Sequence, residues 1–336
     1  MVYNKLMSTN STSEKRKLTV GVLRGGPSSE YEVSLKTGAN VMNELRDRHN
    51  VRDIFIDREG NWHIDGIVRT PERILPQVDV IFNALHGTYG EDGRVQSILD
   101  AHGKPYTGSG ALASAIGMNK ALTKKFYRDH KIQTPRGIVI RPHAYDEHTL
   151  SSILEDFHGA AIVKPVSAGS SIGISVARDP RSFEQAIQSA LAHSPEALVE
   201  EYLFGREATV AVVEGSEPGQ VYTLPVVEIR NTSAEKDIWN YDSKYSDDLH
   251  ELVVPGNFTD HESIALENAA MRAHKALGLS HYSRSDFMVT PSGIYILETN
   301  TLPGMTSASL LPRALKAAGI KVSEFLDHVL DLAMRR

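Results

Sequence analysis

The chain has 336 residues, of which 41% are hydrophobic, and its 36 Lys and Arg against 42 Asp and Glu give a formal net charge of −6. This length can bury a core in two or three lobes, and the acidic balance argues against a general binder of nucleic acid or membrane surfaces. The absence of cysteine excludes disulfides, thiolate metal sites and a cysteine nucleophile. The first 16 residues are polar and lack the apolar core of a signal peptide, so we expect a tail on a cytoplasmic protein that acts on small molecules.

The first predicted unit is a strand over 18–23, a glycine-rich turn and a helix over 33–45. The turn lacks the G-x-G-x-x-G spacing, so a nicotinamide cofactor is poorly supported. Glu30 lies near the start of this helix, where it is either an acid favoured by the helix dipole or the acceptor of a ligand's ammonium group. A buried strand over 78–84 leads into a glycine-rich loop that contains His86. Because ligands of open α/β sheets collect at the carboxyl ends of strands, His86 is a candidate site residue.

The next segment carries two lysines that indicate an anion. Asn119 is predicted to cap a helix that has Lys120 in its first turn. A lysine at this position opposes the helix dipole and so indicates an anion nearby, and the alternative is a solvated lysine. Lys164 lies inside an apolar strand and needs an anionic partner. The loop after it holds Ser170 and Ser171 and can present backbone N–H groups to phosphate oxygens. It lacks the Walker A spacing, so a plain flexible turn is the alternative.

Two later stretches are less specific. The strand over 207–213 begins with Glu207, a carboxylate that can hold ribose hydroxyls, but here the sequence is only permissive. The polar, tyrosine-bearing segment 230–257 shows no periodicity and is predicted to be a lid or binding loop.

The clearest site pattern is a β-hairpin over 283–304. With a three-residue loop at 291–293, Thr290 would face Ile294 and Asp286 would lie opposite Glu298. Strand alternation puts Asn300 on the same face, and this all-oxygen set suits Mg²⁺ or Mn²⁺ better than Zn²⁺. The irregular loop that follows the acids disfavours the alternative of ordinary surface carboxylates. The sequence therefore predicts a magnesium site, and with it a phosphate ligand.

A series of motifs in chain order resembles the D-alanine–D-alanine ligases of the ATP-grasp superfamily. These motifs lie at residues 25–34, 85–93, 105–110, 164–173, 243–245 and 298–307. The resemblance implies an α/β ATP-grasp fold in which a tail (1–16) precedes an N-terminal open α/β lobe (17–117), a small central lobe (118–204) and a C-terminal lobe (205–336). The central and C-terminal lobes would clasp ATP between their sheets, and members of the family commonly form homodimers.

The resemblance also implies an activity. The family phosphorylates the carboxylate of one D-alanine with ATP, and the amine of a second D-alanine attacks the acyl phosphate to give D-alanyl-D-alanine for peptidoglycan. Tyr245 favours this dipeptide over an ester with D-lactate. Two alternatives stay open: an ATP-grasp ligase with another second substrate, and a nucleotide-binding protein without catalysis.

The matched motifs assign candidate roles residue by residue. The catalytic candidates are Glu30, Ser170, Tyr245, Arg284 and Gly304. The substrate-binding candidates are Glu30, His86, Lys244, Ser309 and Leu310. The nucleotide-binding candidates are Lys120, Lys164, Ser170, Ser171, Glu200, Glu201, Leu203 and Glu207. Asp286, Glu298 and Asn300 would hold two Mg²⁺ ions, with Glu298 bridging them.

Three residues depart from the family pattern. Arg94 and Ala168 stand where a small residue and a larger one are expected, and Ser285 stands where an aliphatic residue is usual. None of them removes a reacting group. Arg94 adds a cation beside the His86 loop, so it either alters substrate choice or points outward.

Overall fold

The computed structural model describes residues 16–167, 169, 172–231 and 250–335. In these residues the strands form three sheets of five, four and six strands. Each sheet lies within one of the three predicted lobes, which confirms the α/β class, whereas the lobe boundaries stay predictions. No helix in the described part of the chain is long and apolar enough to cross a membrane.

The first sheet occupies the N-terminal part of the chain. Its strands are β1 (Thr19–Gly25), β2 (Asn50–Ile56), β3 (Trp62–Ile64), β4 (Ile67–Val68) and β5 (Val80–Asn83). They lie in the order β4-β3-β2-β1-β5, and β1 pairs in parallel with both β2 and β5. Strand β1 is buried on both faces of the sheet, since Val20 and Val22 pack in one core cluster and Leu23 packs in another. Its carboxyl end therefore lies beside the carboxyl end of β5, at the edge where ligands of such sheets bind.

Helices connect and cover this sheet and lead to the next one. They are α1 (Tyr31–Leu45), α2 (Pro71–Ile74) with the 3₁₀ turn Leu75–Gln77, α3 (Arg94–Ala101), α4 (Ala111–Met118) and α5 (Lys120–Asp129). As predicted, Asn119 caps α5, because its side-chain oxygen accepts a hydrogen bond of 3.0 Å from Leu122 N. This cap fixes where the helix starts and so places Lys120 in the first turn.

The second sheet is antiparallel and has helices on it. Its elements are β6 (Gly137–Ile140), α6 (Glu147–Asp156), β7 (Ala161–Pro165), β8 (Ser175–Ala177), α7 (Pro180–Leu191) and β9 (Ala197–Glu201). The strand order is β6-β9-β7-β8. Phe183 and Ile187 of α7 are fully buried against this sheet together with Val163 and Val199. The sheet therefore has a core of its own.

The third sheet carries the predicted hairpin. Its elements are β10 (Arg206–Glu214), β11 (Val221–Thr223), β12 (Val227–Asn231), β13 (His250–Val253), α8 (Asp260–Ala276), β14 (Tyr282–Thr290) and β15 (Gly293–Asn300). The main order is β13-β12-β10-β14-β15, with β11 paired to β10. Two final helices, α9 (Leu310–Ala317) and α10 (Val322–Ala333), share a core with β1 and α1, so the end of the chain is anchored on the first sheet.

The hairpin differs from the prediction in one detail of register. Thr290 pairs with Gly293 and not with Ile294, so the connection is a residue shorter than expected. The pairing then shifts between Phe287↔Ile296 and Asp286↔Glu298, which leaves Leu297 as an extra residue in a β-bulge. The bulge offsets the shorter turn, so the predicted pair Asp286 and Glu298 is confirmed although the predicted loop was wrong.

The segment over 230–257 also differs from the prediction. Its flanks are paired strands, because β12 ends at 231 and β13 occupies 250–253. The prediction of one aperiodic segment was therefore wrong at these flanks, and residues 232–249 lie outside the described residues.

Candidate active site

The acid pair of the hairpin lies among protein cations. The Arg284 guanidinium donates two hydrogen bonds of 2.9 Å to the Asp286 carboxylate, one to each oxygen. The Thr209 hydroxyl on β10 donates a third, of 2.6 Å, to Asp286 Oδ1. The Lys120 ammonium lies 3.8 Å from the Glu298 carboxylate. Asp286 is only 8% exposed. Residues of β10, β14 and α5 therefore hold the acid pair in place in the absence of a ligand.

The donor set fits a magnesium ion by its chemistry. Two carboxylates and the amide oxygen of Asn300 are hard oxygen donors. Asp286 Oδ1 accepts two hydrogen bonds, whereas Oδ2 accepts one from Arg284 and keeps a lone-pair site for a cation. The Asn300 oxygen also accepts a 2.9 Å hydrogen bond from Leu302 N, which orients the amide at the end of β15. Among the described residues no group of three or more His, Asp or Glu side chains forms a metal site. The predicted site therefore depends on the Asn300 amide as its third ligand.

A second charged cluster lies between the second sheet and α5. The Lys164 ammonium on β7 contacts Glu200 Oε2 on β9, which confirms that this buried lysine has an anionic partner. The Lys124 ammonium on α5 contacts the other oxygen, Glu200 Oε1. Burial lowers the pKa of Lys164 to about 8, although the nearby Glu298 carboxylate opposes this change. The same lysine thus contacts Glu200 and interacts electrostatically with Glu298 of the hairpin.

The other nucleotide-binding candidates surround the link between β9 and β10. Glu201 follows Glu200 on β9 and so faces the opposite side of the sheet. Its carboxylate accepts hydrogen bonds of 2.8 Å from Arg136 N and 2.9 Å from Arg136 Nε. Leu203 is half-buried in the link, and Glu207 lies near the start of β10, opposite Met288 of β14. The four candidates therefore border one connection, but Glu201 is already held by an arginine.

Glu30 lies at the edge of the first sheet and is 6% exposed. It is the N-cap residue of α1, but its side chain does not cap the helix, which disfavours a purely local role. The backbone of two loops approaches its carboxylate: a Cβ added to Gly87 would come within 2.6 Å of Glu30 Oε2, and one added to Gly169 would overlap the same atom. The loop after β5 and the loop after β7 thus meet at Glu30.

His86 is next to this meeting point. Its Nε2 lies 2.9 Å from the Thr37 hydroxyl of α1, and its Nδ1 lies 3.5 Å from the Glu91 carboxylate. The ring is 5% exposed, so it supports the loop that carries Gly87. A direct contact between His86 and a substrate stays a prediction.

The loop after the hairpin brings three further candidates together. A Cβ added to Gly304 would come within 2.9 Å of Ser309 Oγ, so these two residues are neighbours. Ser309 Oγ also accepts a 3.1 Å hydrogen bond from Thr306 N, and Ser309 is the N-cap residue of α9. Leu310 is buried in the core with Leu302. The loop backbone is therefore held in place at the end of β15.

Ala168, Ser170, Ser171, Lys244 and Tyr245 lie outside the described residues.

Three residues that contact carboxylates of site candidates were not predicted from the sequence: Lys124, Thr209 and Arg136. Lys124 lies one turn after Lys120 on α5, so its position on the same helix face is a signal that was available. Thr209 is opposite Asp286 in the pairing of β10 with β14, and no local pattern marks it. Contacts of this kind depend on which strands become neighbours, and that information is spread over the whole chain.

Two of the residues that depart from the family pattern, Arg94 and Ser285, lie in different surroundings. The Arg94 side chain is 72% exposed and its nearest acid is Asp92, at 3.4 Å, so it points outward. The Ser285 hydroxyl is buried 2.8 Å from the Thr299 hydroxyl, which accepts a 2.8 Å hydrogen bond from Tyr127 of α5. A polar chain thus replaces apolar packing behind the hairpin.

The comparisons with known proteins agree with this arrangement. The family model of the D-ala D-ala ligase C-terminus matches residues 126–331, and that of the D-ala D-ala ligase N-terminus matches 19–73 and 67–109. A D-alanine–D-alanine ligase of Halalkalibacterium halodurans is 37% identical over 324 residues, which cover 95% of this chain and 100% of the relative.

Two solved structures are similar over nearly the whole chain. The D-alanine–D-alanine ligase of Bacillus anthracis complexed with ATP has a TM-score of 0.77 and 30% identity, covering 95% of this chain and 98% of the other. The VanG D-Ala:D-Ser ligase of Enterococcus faecalis has a TM-score of 0.78 and 30% identity, covering 95% and 100%. The chain therefore belongs to the D-alanine–D-alanine ligase family, with its ATP-grasp fold, and is an ADP-forming ligase.

Proposed function

We propose that this enzyme uses ATP and Mg²⁺ to join two D-alanine molecules into D-alanyl-D-alanine, with release of ADP and phosphate, for cell-wall peptidoglycan. The observation that carries the proposal is the pair Asp286 and Glu298, set opposite each other on a hairpin and flanked by Arg284 and Lys120. Relatives named as D-alanine–D-alanine ligases match almost the whole chain. A homodimer and a cytoplasmic location stay predictions.

The metal ligands in this proposal are Asp286, Glu298 and Asn300. Mg²⁺ held there would supply the positive charge that a transferring phosphoryl group requires. Lys120 and Lys164 add two ammonium groups on the side of α5 and β7, and both interact with Glu298. Their role is to hold the phosphates close to the acid pair, since phosphoryl transfer depends mainly on position and charge.

The nucleotide base and ribose are assigned to the segment between β9 and β10. Glu200 is a buried acceptor there, and Leu203 and Glu207 border the same connection. A solved relative with a TM-score of 0.77 is a complex with ATP, which supports a nucleotide site in this fold. The assignments of Glu200, Glu201, Leu203 and Glu207 are part of the proposal.

The first D-alanine is assigned to Glu30. A buried carboxylate whose side chain does not cap its helix is suited to accept hydrogen bonds from a ligand's ammonium group. Ser170 and Tyr245 complete this group in the proposal. Enclosure of the site by their loops would exclude water, which otherwise hydrolyses an acyl phosphate.

The second D-alanine is assigned to the loop after β15. Ser309 and Leu310 would bind its carboxylate, and Arg284 with the Gly304 N–H would stabilise the oxyanion of the tetrahedral intermediate. The outward direction of Arg94 supports a dipeptide ligase of ordinary specificity, because its charge lies away from the buried Glu30 region. The similarity to a D-Ala:D-Ser ligase makes the second substrate the point to test.

The test is phosphate release from ATP and Mg²⁺ with a panel of D-alanine, D-serine, D-lactate and L-alanine, with mass spectrometry of the products. We expect release with D-alanine alone and a product mass of D-alanyl-D-alanine. If phosphate is released only when another acceptor is present, that acceptor is the second substrate in place of D-alanine. No release with any member of the panel would instead favour a nucleotide-binding protein without catalysis.

Gly87→Ala is expected to raise KM for the first D-alanine by at least about tenfold, since an added methyl group would displace the Glu30 carboxylate. Gly60→Ala is the matched control. Both glycines have positive φ, 70° and 87°, so both substitutions carry similar backbone strain, but a Cβ added to Gly60 would meet no atom within 4 Å. Steady-state kinetics of the two variants separate the effects. Equal KM values for D-alanine would contradict the placement of Glu30 in the substrate site.

A further inference from the structure

Three side chains on one face of α5 reach different parts of the site. Lys120, Lys124 and Tyr127 follow the spacing i, i+4, i+7 and so lie along one stripe of the helix. Lys120 contacts Glu298, Lys124 contacts Glu200, and the Tyr127 hydroxyl donates to Thr299. The proposed function assigns a role to Lys120 alone, and of the other two side chains Lys124 is the one that contacts a nucleotide-binding candidate, Glu200.

The Lys124 ammonium lies against three oxygen atoms. It donates hydrogen bonds of 2.7 Å to the Thr134 hydroxyl and 3.0 Å to the Pro135 carbonyl oxygen, and it contacts Glu200 Oε1. Burial, together with the charge of Lys164, lowers the pKa of Lys124 to about 6. Direct contact with the Glu200 carboxylate opposes this change and favours the charged form of Lys124. The side chain is 2% exposed. Thr134 in turn donates to the Ile296 carbonyl oxygen of β15 at 2.8 Å, which ties the lysine to the hairpin.

The charges in this cluster do not balance. Two ammonium groups, of Lys124 and Lys164, share the single carboxylate of Glu200, one on each oxygen. A buried carboxylate left without a cation is strongly destabilising. If Lys164 were the sole partner of Glu200, its movement toward a phosphate group would leave such a carboxylate. With Lys124 in place, Glu200 keeps a cation wherever Lys164 goes.

We propose that Lys124 is a positioning residue, the fixed counter-ion of Glu200 that frees Lys164 to bind the phosphates of the nucleotide. This inference rests on the proposed nucleotide site. Its function is electrostatic: Lys124 neutralises Glu200, and the charge of Lys164 becomes available for the ligand. Substitution of Lys124 therefore affects nucleotide binding and leaves amino-acid binding alone.

The test compares Lys124→Met with Lys125→Met. Lys125 is the next residue of the same helix and is exposed, so the control removes the same charge from the same element. For Lys124→Met we expect the Kd for ATP–Mg²⁺, measured calorimetrically without D-alanine, and the KM for ATP to rise by about 10- to 100-fold, the range for a buried charged hydrogen bond. KM for D-alanine and kcat at saturating ATP stay within about twofold of the wild type, as a pure binding effect requires.

A double variant tests the direction of the effect on ATP affinity, because general destabilisation by a second substitution cannot restore ATP binding. In Lys124→Met, Glu200→Gln removes the charge of Glu200 but keeps an oxygen acceptor for the nucleotide. Lys164 is then released again, so the double variant is expected to bind ATP more tightly than Lys124→Met alone. Additive losses would overturn the proposal. If Lys124→Met does not fold, Thr134→Val weakens one hydrogen bond of the ammonium and is expected to raise the Kd for ATP by a smaller factor.

Two further outcomes are distinguishable. Wild-type affinity for ATP in Lys124→Met, or in both Thr134→Val and the double variant, would overturn the role of Lys124 alone. Failure of the wild-type protein to bind ATP would overturn the proposed nucleotide site, and the inference with it.

Discussion

Glu298→Gln is expected to reduce kcat for phosphate release by more than about 100-fold, beyond the 10- to 100-fold that loss of an outer-shell partner of a metal typically costs. The substitution keeps the shape of the side chain and removes its charge. The remaining carboxylate of the pair, Asp286, is already held by two hydrogen bonds from Arg284. One acid and one amide would then have to hold two divalent cations, so affinity for both should fall.

The measurement is phosphate release over a range of Mg²⁺ concentrations. We expect the half-saturating concentration of Mg²⁺ to rise in Glu298→Gln, with partial recovery in excess Mg²⁺ or Mn²⁺. Glu251→Gln is the control, because Glu251 is an exposed glutamate on β13 of the same sheet. Near-normal turnover of Glu298→Gln at low Mg²⁺ would refute the bridging role.

The hairpin shows how much of this site the sequence could predict. Alternating apolar residues and a Pro-Ser-Gly turn define the two strands, and the period of two then puts the acids on one face. Whether the extra residue lies in the turn or in a bulge at Leu297 is not encoded by that pattern, because both arrangements place Asp286 opposite Glu298. The structure has the bulge, and a bulge increases the local twist of the strand beside the acids.

The partners of the buried lysines could be predicted from the sequence only in part. Burial of Lys164 within an apolar strand required an anion, and this was predictable from the strand alone. The identity of that anion, Glu200, depends on the pairing of β7 with β9 across more than 30 residues. Lys124 was missed because a polar side chain on a helix is ordinarily solvated, and only the packing of α5 against Thr134 and Glu200 buries it.

The candidate site combines residues from the regions of three sheets. Each sequence motif therefore contains only a few of its residues and predicts the site weakly by itself. Glu30 lies at the start of the helix that follows β1 of the first sheet, Lys164 and Glu200 lie in the second sheet, and Asp286 and Glu298 lie in the third. Helix α5 contacts the last two groups through Lys120 and Lys124. Motifs in chain order predicted the members, whereas the contacts between the sheets required the structure.

Arg284→Ala is expected to lower kcat by about 10²- to 10³-fold, the usual cost of losing one donor to an oxyanion, with the Kd for ATP changed far less. The structure adds a second consequence, because the same guanidinium holds both oxygens of Asp286. Arg284→Lys keeps the charge but cannot form two parallel hydrogen bonds to a carboxylate, so it should recover only part of the activity.

Thr209→Val separates the two roles of Arg284. It removes the 2.6 Å hydrogen bond to Asp286 Oδ1 and leaves the guanidinium in place. If Arg284 acts on the oxyanion, Thr209→Val will shift the Mg²⁺ dependence moderately while kcat at saturating Mg²⁺ stays much higher than in Arg284→Ala. If the two variants lose the same activity and recover equally in excess Mg²⁺, Arg284 acts only by holding Asp286. A change in Arg284→Ala confined to KM for ATP would exclude the oxyanion role, because an interaction made only in the transition state lowers kcat.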